Sequence, residues 1–133
     1  MRDSTFSKKK SDFGRETSLP LSIFRTNKFT VLESVILYLK DTKRLKYSHI
    51  AALIKRDQRN ARSTYLAAKV RQIDGNLSPV SGSDDDVRIP ISIFADAPLS
   101  ALEALVAYLK DERSLSYHQI AVLVERDDRT IWT

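Results

Sequence analysis

The residues that invite a chemical reading first lie between Lys55 and Arg71. Arg59 and Arg62 carry guanidinium forks able to pair with guanine, Gln58 an amide suited to adenine, and Ser63 a hydroxyl for a base or a phosphate. Lys55 and Arg56 just before them, and Lys69 and Arg71 further on, are cations of the kind that meets phosphate oxygens, and Asn60 falls near the same backbone. The surrounding charge agrees with this chemistry. Residues 15–72 carry a net +9 and residues 1–14 a net +2, whereas residues 73–88 and 89–133 each carry −3. The whole-chain value of +5 averages over a strongly basic block. Such a block creates a local positive field that attracts polyanions.

Other chemistries find little support. There is no G-x-x-x-x-G-K, no Ser-His-Asp arrangement and no pair of carboxylates in a credible cleft, so the chain reads as a non-enzyme with no small-molecule substrate and no cofactor. Cys is absent, and neither His49 nor His118 has a ligand partner at metal-binding spacing, so no metal site is expected. No run approaches the roughly 18 apolar residues of a membrane span. Residues 1–18 are polar, contain Lys8-Lys9-Lys10 and lack the apolar stretch of a secretory signal. They read as a disordered basic arm of a cytoplasmic, nucleoid-associated protein with no membrane partner.

The elements that must position the basic residues come from an internal repeat. Leu19-Pro20-Leu21-Ser22-Ile23-Phe24 returns as Ile89-Pro90-Ile91-Ser92-Ile93-Phe94, 70 residues on. Residues 19–63 align with 89–133 without a gap, and 18 of the 45 pairs are identical, which makes the chain a tandem duplication. The expected domains are a basic first repeat at 19–73, a flexible acidic linker at 74–88 and an acidic second repeat at 89–133.

Each repeat predicts a short extended arm and then three helices, a mainly α architecture. Alternation of Leu19, Leu21 and Ile23, and of Ile89, Ile91 and Ile93, gives the period of a strand, with Pro20 and Pro90 keeping it at an edge. Thr30 with Glu33, and Ser100 with Glu103, form capping boxes that start helix one. Leu32, Val35, Ile36 and Leu39 share one face of it, as do Leu102, Leu105, Val106 and Leu109. A charged break is expected at Lys40 to Arg44 and at Lys110 to Ser114. Helix two buries Ile50, Ala51 and Ile54, matched by Ile120, Ala121 and Val124. Asp57 and Asp127 are placed to cap helix three. That helix is expected from Gln58 to about Gln72 in the first repeat, with Ala61, Tyr65 and Ala68 inward. In the second it is expected to be cut short by Thr133.

The twice-occurring pattern Leu-x-Tyr-x-x-Ile-Ala-x-Leu-x-x-Arg-Asp-x-Arg resembles a helix-turn-helix. With the preceding Leu99–Leu109 segment it is most similar to the promoter-reading C-terminal (region four) domain of bacterial sigma factors. The position often held by Gly in such turns is Lys55 or Glu125, which predicts a different or slightly strained turn. The resemblance implies a double-stranded DNA-binding protein, a transcription regulator or an architectural one. Its third helix would enter the major groove through Gln58, Arg59, Arg62 and Ser63. In the second repeat Arg126, Arg129 and Thr130 would add phosphate contacts, and Trp132 would pack internally or meet a partner. The alternative expectation is an assembly module. It would dimerise or polymerise through the second repeat, Trp132 and the arms bearing Ile89, Ile91 and Ile93, or join a protein of the transcription machinery. Those arms are equally able to pair with each other within one chain.

Overall fold

The computed structural model describes residues 18–26, 28–77, 87–95 and 99–126. The expectations for Asp127, Arg129, Thr130, Trp132 and most of the linker therefore lie outside the described residues. Among the described residues the chain is mainly helical with one two-stranded antiparallel sheet. Strand β1 spans Ser18–Pro20 and strand β2 spans Arg88–Pro90. Each runs straight into a 3₁₀ turn, Leu21–Phe24 or Ile91–Ala95. The arms are thus extended for three residues only, where the alternation predicts strand through Phe24 and Phe94. The tight turn allows Leu21, Ile23 and Phe24 to be buried together, which a strand of period two cannot do.

Helix α1 spans Val31–Leu37, and the chain continues through a π-helical turn at Tyr38–Thr42. Helix α2 spans Tyr47–Ile54, and helix α3 spans Gln58–Asp74. In the second repeat, helix α4 spans Ala101–Arg113 and helix α5 spans Tyr117–Leu123. The charged break expected from Lys110 is instead helical up to Arg113, because nothing in Lys110-Asp111-Glu112-Arg113 breaks a helix. Both expected capping boxes are present. Thr30 Oγ1 accepts from the Glu33 amide at 3.1 Å, and Ser100 Oγ accepts from the Glu103 amide at 3.2 Å.

The two repeats do not sit apart. Ser18 pairs with Pro90, Leu19 with Ile89 and Pro20 with Arg88. Leu19 and Ile89 are equivalent positions of the duplication, so the pairing places a local two-fold relation between the copies. The rings of Phe24 and Phe94, equivalent again, meet across it with centroids 6.0 Å apart. Leu19, Phe24, Leu39, Ile50 and Ile54 share one buried cluster with Ile89, Phe94, Leu105, Leu109 and Ile120. Ile89 and Ile91 are buried in that shared core and Ile93 is half-buried, so the arms are consumed inside the chain. The linker also ends earlier than expected. Arg88 belongs to β2 and donates to Ser18, and the Leu21 amide donates to the Val87 carbonyl at 2.8 Å.

Candidate nucleic-acid interface

Helix α3 starts where Asp57 Oδ1 accepts from the Arg59 amide at 3.3 Å, the expected cap. Before it, Lys55 takes a left-handed backbone at φ 53°, and its counterpart Glu125 does the same at φ 53°. The turn is therefore the one glycine would make most easily, held by side-chain residues at some cost in strain. Arg44 and Ser114, another equivalent pair, repeat the device after helix one with φ 59° and 56°.

One side of α3 is anchored. Ala61, Ala68 and Gln72 are buried, and Ala68 packs with Phe29 and Leu37. The Tyr65 hydroxyl donates to Asp41 Oδ1 at 2.6 Å, and Lys69 Nζ lies 3.1 Å from Asp41 Oδ2. Partial burial and the neighbouring Asp41 carboxylate both push the Tyr65 phenol well above its ordinary value. Arg71 ion-pairs with Glu33 and donates to the Lys28 carbonyl at 3.1 Å. Partial burial alone would raise the Glu33 carboxyl. Hydrogen bonds from Arg71 and from the Thr30 amide more than offset it, and the group ends below its usual range.

The opposite side of the helix is open. Gln58, Arg59, Asn60, Arg62 and Ser63 are all exposed. Asn60 Oδ1 accepts from the Thr64 hydroxyl at 3.5 Å. Among the described residues, the side chains of Gln58, Arg59, Arg62 and Ser63 find no hydrogen-bond or ionic partner, and Lys55 is likewise exposed without one.

Not every predicted cation stays available. Lys69 and Arg71 serve as braces, tying α3 to the π-helical turn and to α1. Arg56 and Arg126 are turned inward, away from a phosphate role. Arg56 Nη1 donates to the Ile54 carbonyl at 3.2 Å and to Phe94 of the other repeat at 3.4 Å. Arg126 Nη1 donates to Phe24, Thr26 and Val124 at 3.1, 2.9 and 2.8 Å, and its Nη2 donates to Phe29 at 2.7 Å. Burial lowers the Arg126 guanidinium from its ordinary value. Each repeat thus sends an arginine to the arm of the other.

Sequence pattern alone assigns no role to Lys43, Arg44 and Lys46, all exposed and clustered before α2. At the N-cap of α2, Lys46 provides no side-chain cap, whereas Ser116 at the matching place forms a capping box with Gln119. The first repeat carries charge where the second carries a stabilising cap. The run Lys43-Arg44-Leu45-Lys46 against Arg113-Ser114-Leu115-Ser116 is a signal that an alignment of the two repeats contains.

Among the described residues, no group of three or more His, Cys, Asp or Glu is placed to hold a metal ion, and no helix is long and apolar enough to cross a membrane. No protein-family model, curated protein or solved structure matches the chain.

Proposed function

We propose that the protein binds double-stranded DNA, with the first half of α3 in the major groove and the basic surface of the first repeat on the phosphates. In this reading, α2, the strained Lys55 turn and α3 act as a helix-turn-helix. The observation that carries the proposal is the open face of Gln58, Arg59, Arg62 and Ser63. Two arginines without partners stand on the first turns of a helix whose other side is fixed to the core. Such a helix presents base-reading donors at little further ordering cost.

The direct test is a gel shift of the full chain on duplex DNA at two salt concentrations. Binding should weaken steeply with salt, each phosphate contact adding about 0.9 to the log–log slope. Arg59→Ala or Arg62→Ala should cost about 1–3 kcal/mol on a preferred site and flatten the preference, if either arginine makes a bidentate base contact. Lys55→Ala should weaken all duplexes alike. Lack of duplex binding at low salt would overturn the reading.

A further inference from the structure

Where the two repeats join, an open cleft of about 460 Å³ is lined by matched residues of both copies. Arg56 stands there with Arg126, Leu32 with Leu102 and Thr30 with Ser100, each pair 70 positions apart in the duplication. The cleft therefore sits on the local two-fold relation that the paired strands define. Leu32 and Leu102 are half-buried, so the cleft offers apolar surface as well as charge. None of Gln58, Arg59, Arg62 and Ser63 lines it.

The charge in the cleft is unbalanced. No Asp or Glu lines it, and among the described residues neither Arg56 nor Arg126 has a carboxylate partner. Glu33 and Glu103, close by in sequence, are turned back to the amides of Thr30 and Ser100, at 2.9 Å in each case. The carbonyls that hold the two guanidiniums supply dipoles without a compensating charge, and they leave donors over. Arg56 uses Nη1 alone, and Arg126 uses Nη1 and Nη2. The Arg56 Nε and Nη2 and the Arg126 Nε have no hydrogen-bond partner among the described residues, and none of the three is sealed from solvent. Both forks are thus ordered by the fold before any ligand arrives, which lowers the cost of binding one.

We propose that this cleft binds a small organic carboxylate with an apolar body. The carboxylate takes the spare N–H groups of Arg56 and Arg126 in charge-assisted hydrogen bonds. The body covers Leu32 and Leu102. The hydroxyls of Thr30 and Ser100 accept from backbone amides as caps and still carry a proton to donate. Apolar walls with a few fixed polar groups are the usual make-up of a small-molecule site. Residues from both repeats build it, so its occupant also holds the repeats together. The site does not depend on the DNA-binding reading.

Octanoate is the probe, titrated into the isotope-labelled full chain and followed by NMR. The expected result is a saturable, one-to-one change in the Nε–H signals of Arg56 and Arg126 together with the amides of Leu32 and Leu102. The urea midpoint should rise with octanoate concentration, because the ligand binds the folded chain alone. Octanol lacks the charge, and acetate and inorganic phosphate lack the body, so each should bind weaker by about tenfold or more. Arg56→Ala should weaken octanoate about tenfold and leave the response to octanol unchanged. Leu102→Glu places a carboxylate in the cleft at the second residue of α4, where an acid suits the helix. It should abolish octanoate binding with unchanged helical circular dichroism. Arg62→Ala, on the open face of α3, should bind octanoate as the parent does. The absence of a saturable change, an equal response to octanol or to inorganic phosphate, or a loss of binding in Arg62→Ala rather than Arg56→Ala would overturn the site. None of these outcomes decides duplex binding, which the gel shift tests separately.

Discussion

Ser34 shows how a single residue records divergence between the repeats. It is fully buried in α1, and its hydroxyl has no hydrogen-bond partner among the described residues. The matching residue of the second repeat is Ala104, also buried. A buried hydroxyl left unsatisfied costs about 1–3 kcal/mol relative to one that is paired, and removing it relieves that cost. Ser34→Ala should therefore leave the fold unchanged and raise stability by about 1 kcal/mol in urea unfolding. A loss of stability would mean that the hydroxyl has a partner. At this scale much was legible in the sequence. Thr30, Glu33, Ser100, Glu103 and Asp57 were identifiable as caps because their partners are backbone groups two or three residues away. Lys69 and Arg71 were not identifiable as braces. Their partners Asp41 and Glu33 stand 28 and 38 residues earlier, and only the packing of α3 brings them together.

Among the described elements, α3 is braced on one side and open on the other, and its attachment should respond to acid. Glu33 closes the capping box of α1 and also receives Arg71 from α3. Its carboxyl titrates below the ordinary value of 4.5 in the folded protein. A depressed carboxyl contributes stability that is present above its unfolded value and is lost as pH falls through the folded one. Stability should thus decline as pH drops below about 4.5, and Glu33→Gln should be less stable at neutral pH yet show a shallower decline there. Urea midpoints for both proteins at pH 7, 4.5 and 3.5 provide the comparison. Parallel pH profiles would remove Glu33 from this role. The helices themselves followed from periodicity, because apolar spacing and caps are local signals. The π-helical turn at Tyr38–Thr42 did not, since Tyr38-Leu39-Lys40-Asp41 is identical to Tyr108-Leu109-Lys110-Asp111, which stays α-helical. The two copies differ immediately beyond, where Thr42-Lys43 stands against Glu112-Arg113, and in the contact that Asp41 makes with α3.

The whole molecule is two copies that complete each other. A pair of strands of three residues each is marginal on its own, and a single repeat would leave Leu19, Phe24 and Leu21 uncovered. Equivalent residues meet instead across the two-fold relation, as the subunits of a symmetric dimer do. The sequence announced the duplication and allowed the arms to pair. It did not announce the arginine exchange, because Arg56 and Arg126 sit in charged turns that look suited to phosphate, and backbone carbonyls carry no signature in a sequence. The exchange is unequal, and that inequality makes it testable. Arg126 holds four carbonyls at 3.1 Å or less, three of them in the first repeat, while Arg56 holds two at 3.2 and 3.4 Å. Truncating Arg126 exposes or orphans several part-buried acceptors, at about 1–3 kcal/mol for each that water cannot reach. Arg126→Ala should accordingly lower stability by about 2–3 kcal/mol, against about 1 kcal/mol or less for Arg56→Ala. Arg126→Lys should recover little, since one ammonium cannot span carbonyls that a planar fork reaches together. Denaturant unfolding of the three variants gives the ranking. Equal losses at Arg56 and Arg126 would mean that the two guanidiniums contribute alike and that the inequality of their contacts has no energetic weight.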